Sequence, residues 1–63
     1  MYQLLVYHPG DKAPRERISV GRAVAVLDLI PKLLAEHHGC EHIVVLLDDI
    51  CLFAVDCHGN RLP

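Results

Sequence analysis

Residues 42–55, "HIVVLLDDICLFAV", decide how this chain folds. Two runs rich in β-branched, aliphatic and aromatic residues flank a pair of acids, Asp48 and Asp49. Such runs read as strands, and the pair between them reads as the turn of an antiparallel hairpin. Aspartate suits a turn because its short side chain bonds nearby backbone groups and tolerates left-handed conformations. Asp-Asp is a weaker tight-turn pair than Asp-Gly, so a longer loop stays open. The polar-apolar alternation expected of a half-buried strand is missing here. Ile43, Val45 and Leu47 alternate with Val44 and Leu46, and Ile50, Leu52 and Ala54 alternate with Cys51, Phe53 and Val55. Strands apolar on both faces are normally covered on both faces.

Working towards the N-terminus, "SVGRAVAVLDLIPKLLAEHHG" (19–39) has apolar residues at Val24, Leu27, Ile30 and Leu34 and again at Val26 and Leu33, the 3.6-residue helical period. Ser19 is a good N-cap, and Ile18 before it can staple onto Ala23. Gly39 is expected at positive φ as the C′ residue, which puts Cys40 at C″, packed back on Ala35. Pro31 removes one helical hydrogen bond and should kink or split the helix. A rival parse makes "RISV-GR-AVAV" a hairpin on a Gly-X turn. Ahead of this segment, Tyr2 to Tyr7 reads as a strand closed by "HPGDKAP", and Arg15 to Ile18 as a short edge strand defended by its charges. After the hairpin, "CHGN" (57–60) makes a further turn, with Gly59 or Asn60 at positive φ. The expected fold is α+β: a single β-α-β-β domain over residues 1–63, one helix packed on a three- to four-stranded, mostly antiparallel sheet.

The totals bound the function. Sixty-three residues give one small domain. Apolar residues make up 52% of it, which excludes disorder and exceeds what so small a core uses. No apolar run reaches the roughly 18 residues of a membrane span, and the N-terminus has no signal-peptide pattern. With no CxxC pair among the three cysteines, reduced thiols and a cytoplasmic location are expected. The net charge of -2 argues against a nucleic-acid binder. Residues 1–35 carry five Lys and Arg against three acids, and residues 36–63 one against five. The basic "KAPRER" (12–17) is interrupted by Glu16 and has no aromatic beside it for base stacking.

The reactive letters do not assemble a catalytic site. Asp56, Cys57 and His58 are adjacent, and successive strand side chains point to opposite faces, so Cys57 and His58 cannot act as nucleophile and base. His37, His38, Cys40 and His42 are the best metal-ligand candidates, but they supply at most three ligands where a structural zinc wants four. Caps and core explain them better, so no catalytic residue, no metal and no cofactor is expected. Asp48 and Asp49 offer an acidic contact only, because the Asp-rich spacing of a calcium loop is absent.

The segment "HGCEHIVVLLDDICLFAVDCHGNRLP" (38–63) resembles the C-terminal half of small phage and plasmid proteins of unknown function, in its Gly-Cys-acid step, acidic turn and "VD..GN.L"-like ending. The resemblance implies a mobile-element origin and, by analogy alone, a small inhibitor of a host protein of the anti-CRISPR or anti-restriction kind. The apolar surplus points the same way, to a non-enzymatic protein-binding module. One helix covers roughly one face of the sheet, so the other is expected to be covered by a second copy in a homodimer, by a host protein, or by both. Val44, Leu46, Phe53 and Val55 form the preferred interface set, because Phe53 is the sole Phe and aromatics are enriched at interface centres. Val45, Leu47, Leu52 and Ala54 form the other. The metal- or thiol-dependent reading, using His37, His38, Cys40 and His42, is the alternative.

Overall fold

The computed structural model describes the whole chain, residues 1–63. The elements are β1 (Tyr2–Tyr7), β2 (Glu16–Val20), α1 (Ala23–Glu36), β3 (His42–Leu47) and β4 (Ile50–Asp56). The strands form one sheet in the order β2-β1-β3-β4, with every neighbouring pair antiparallel. This is the α+β domain the sequence predicts, with the short edge strand present as β2.

Strand register divides the sheet into two faces. Leu4 pairs with both Ile18 and Val45, and Val6 pairs with both Glu16 and Ile43, so these residues share the face under α1. Leu4, Val6, Ile43 and Val45 are fully buried there, with Val26 and Leu33 of α1, Cys40 and Val55. The opposite face carries Gln3, Leu5, Arg17, Ser19, Val44, Leu46 and Ala54 and has no element over it. Burying each large aliphatic side chain stabilises the fold by about 1.5–3 kcal/mol, and this packing holds α1 in place. Capping contributes little. The N-cap Arg22 makes no side-chain cap bond, the first turn has no acid and the last turn has no base.

Three local expectations change. Ser19 is not an N-cap: it pairs with Gln3 inside β2, and Val20 pairs with Tyr2. The ladder to β1 captures "RISV" and delays the helix until Ala23, which also excludes the rival hairpin. Pro31 neither ends nor divides the helix, which is continuous from Ala23 to Glu36. Pro31 is exposed, while Ile30, Leu33 and Leu34 pack beneath it, so one lost backbone bond is outweighed by the buried stripe. Gly39 has φ 78° as expected, but it sits in a turn one residue beyond C′, closed by the Cys40 N–H donating to the His37 carbonyl at 3.1 Å.

The β3–β4 hairpin turns on Asp48 and Asp49, both left-handed at φ 49° and 68°. This two-residue turn matches the right-handed twist of its strands. A regular ladder from it would place Val44 opposite Phe53. Instead the register shifts after Leu46. Leu46 pairs with Cys51 and Val45 with Phe53, leaving Leu52 as an extra residue in a β-bulge. Phe53 and Val55 thereby move to the face under the helix.

An apolar groove beside a half-open sheet edge

The four residues preferred as an interface do not share a surface. Val44 and Leu46 lie on the uncovered face, whereas Val55 is in the core, 5% exposed, and Phe53 packs against it. The physical reason is the bulge, since a one-residue slip exchanges the faces of everything beyond it. The second set divides likewise: Val45 is core, Leu47 is half-buried on the helix side, Ala54 is on the open face, and Leu52 is the bulged residue.

An accessible apolar surface lies where α1 meets β4. The helix sits closest to β1 and β2, and towards β4 it leaves a groove of about 190 Å³. Tyr2, Val26, Leu27, Val45, Leu52 and Phe53 line it together with Ala23. Of the lining residues Leu27 is 64% exposed and Leu52 44%; in the same two elements Ile50 is 67% exposed and Val24, one turn from Leu27, 60%. The lining is almost wholly apolar, with the Tyr2 hydroxyl its one polar side-chain group, so the groove chiefly offers contact area.

The strand bordering this groove is an edge, and only half of it is covered. The chain returns along its C-terminal half. Arg61 bridges to Val55, the Leu62 N–H donates to the Ala54 carbonyl and the Asp56 N–H to the Asn60 carbonyl, both at 2.8 Å. The Arg61 guanidinium lies 4.9 Å from the Phe53 ring centre, a cation–π contact that seats this return. No such bond reaches the outward backbone groups of residues 50–53. The opposite edge, β2, presents Glu16 and Arg17, the charges that ordinarily deter strand addition. Ile50, Cys51 and Leu52 are exposed and uncharged.

Asp56, Cys57 and His58 form the turn that the sequence suggests. The Asp56 carboxylate accepts the His58 and Asn60 N–H groups, each at 2.9 Å. The Asn60 amide, aided by that of His58, outweighs the opposing desolvation and holds this carboxyl below its ordinary value of 3.8. The turn's stabilisation is therefore complete above that value and is lost as the pH falls through the lowered one. Asp56→Ala should accelerate amide exchange at His58 and Asn60 at neutral pH, and the wild type should approach the variant's rates in acid. Equal protection in both proteins would remove this role.

The proposed ligand quartet is dispersed. Cys40 is buried in the core, where desolvation, aided by Cys57 and Asp56, pushes its thiol up and keeps it protonated. His42 stacks on Tyr7 across β1 and β3, with ring centres 4.8 Å apart. His38 is exposed, and His37 turns to other partners. Asp48 accepts from the Met1 amino group at 3.0 Å, and Asp49 is exposed at the turn. The sequence pattern did not reveal the groove, which arises from the bulge and from the seating of α1 over β1 and β2. No helix is long and apolar enough to cross a membrane. No protein-family model matches this chain, and neither a curated protein nor a solved structure matches it.

Proposed function

We propose that the protein is a non-enzymatic protein-binding module that associates with a second copy of itself through the free half of β4. The observation that carries this reading is the contrast between the two sheet edges: β2 is charged, whereas residues 50–53 are uncharged, without backbone partners on their outward side and bordered by an apolar groove. Antiparallel addition of a second β4 about a two-fold axis satisfies the outward backbone groups of both copies at once. It also brings Asp48 and Asp49 of one copy towards Arg61 of the other, because the return strand begins where the added strand ends. The acidic turn then acts as a contact at the rim.

Light scattering and sedimentation over a range of concentrations test the reading. The expected result is a reversible dimer with twice the 7.0 kDa chain mass. A monomer at every concentration would overturn self-association. A second reading rests on the uncovered sheet face, where Leu5, Val44, Leu46 and Ala54 form an apolar strip with no element above it. In that case face-to-face packing joins the copies, and Val44→Lys rather than a β4-edge substitution dissociates them. The resemblance of residues 38–63 to phage and plasmid proteins extends the proposal to a host protein that adds its own strand at the same edge.

A further inference from the structure

Three negative features converge at the C-terminal end of α1. Glu36 is the last residue of the helix, where the unpaired carbonyls already carry partial negative charge. Glu16, opposite Val6 in β2, faces the helix side of the sheet and reaches the same place. No Lys or Arg lies within ion-pair distance of either carboxylate, and the last turn of α1 contains no base. A cation placed among these groups would be favourably held. The one group present is His37, the C-cap residue, whose Nε2–H donates to Glu16 Oε1 at 2.5 Å.

We propose that Glu16, Glu36 and His37 form a binding site for one divalent transition-metal ion, with zinc the best match to the donor set. One ligand atom from each of the three residues lies within 4.8 Å of the others. Zinc bonds of about 2.0–2.1 Å set tetrahedral ligand atoms about 3.3 Å apart, so Glu16 must open slightly and Glu36 close. Both are side-chain rotations, and Glu36 is exposed and free to make one. An imidazole nitrogen with two carboxylate oxygens suits zinc, and water completes the shell.

The imidazole is held as a ligand needs to be. His8 follows β1 on the helix side, and its Nε2 lies 3.0 Å from His37 Nδ1. That contact fixes the ring and aims Nε2 at the carboxylates, the outer support that metal-bound histidines usually have. The His8 backbone is fixed in turn, since its main-chain N–H donates to Asp11 Oδ2 at 3.2 Å and Asp11 pairs with Arg15. The ion ties α1 to β2 and replaces the hydrogen bond between His37 and Glu16. Of the four residues the sequence offers as ligands, only His37 belongs to this site.

Calorimetric titration of the chelator-treated, reduced chain with Zn²⁺ tests the proposal, alongside the melting temperature and imidazole ¹⁵N resonances. The expected result is one ion per chain, a raised melting temperature and a shift of the His37 Nε2 resonance. His8→Ala should weaken binding about tenfold, and Glu36→Gln and His37→Gln by more. Cys51→Ser should leave it unchanged. Glu36 is exposed, so Glu36→Gln tests the site without endangering the fold. Absence of binding by the wild type, binding unaltered by Glu36→Gln, or binding lost in Cys51→Ser would each overturn the proposal.

Discussion

Truncating Leu33 to Ala is expected to cost the domain about 2–5 kcal/mol and to move its urea unfolding midpoint to a much lower concentration. Leu33 is 1% exposed, and with Val26 it is one of the two buried residues of α1. A chain of this size has a total stability of about 3–9 kcal/mol, so the loss consumes a large part of it. The helix has no side-chain cap and no favourable end charges to fall back on, and without its packing it is too short to persist. Urea unfolding followed by circular dichroism measures the effect. A change below about 1 kcal/mol would mean that the contact between α1 and the sheet is not what holds the helix.

Two neighbouring residues should give opposite results. Phe53 packs against the core, pairs with Val45 and lies beneath the Arg61 guanidinium, so Phe53→Asp removes that packing and the cation–π contact, sets a charge beside apolar groups and should unfold the domain. Leu52 is outside the regular ladder and 44% exposed, so Leu52→Asp should fold almost normally. Under β4-edge association, the same substitution should weaken the dimer about tenfold or more, because it sets like charges against each other across the two-fold axis. Circular dichroism and light scattering on both variants separate the outcomes. A folded Phe53→Asp variant would remove Phe53 from the core. An undiminished Leu52→Asp dimer would move the association surface away from β4.

Secondary structure was legible where local pattern and tertiary packing agree. The helix, the hairpin on Asp48-Asp49 and the left-handed Gly39 follow from periodicity and from backbone preferences that need no distant contact. Ser19 was misleading because its fate depends on β1, a partner twelve or more residues away that offered a ladder instead of a cap. The interface set failed as a single surface for a similar reason. A bulge in an all-apolar strand leaves no trace in its hydrophobic pattern, since either register buries apolar side chains. The cluster of His8, Glu16, Glu36 and His37 was equally hidden, because three separate segments meet there. Only the position of Glu16 on the helix side of β2, relative to Val6, would have indicated it.

The bulge also has a meaning for how this strand can change over generations. Within β4, Leu52 is the residue that the pairing with β3 does not need. Deleting it leaves Phe53 opposite Val45 and Cys51 opposite Leu46, with an uninterrupted ladder and the same core. A deletion inside a strand ordinarily turns every later side chain to the wrong face, yet here it removes only one wall of the groove. For the fold, position 52 therefore behaves like a loop position embedded in a sheet: its presence and identity can change without disturbing the ladder and core around it.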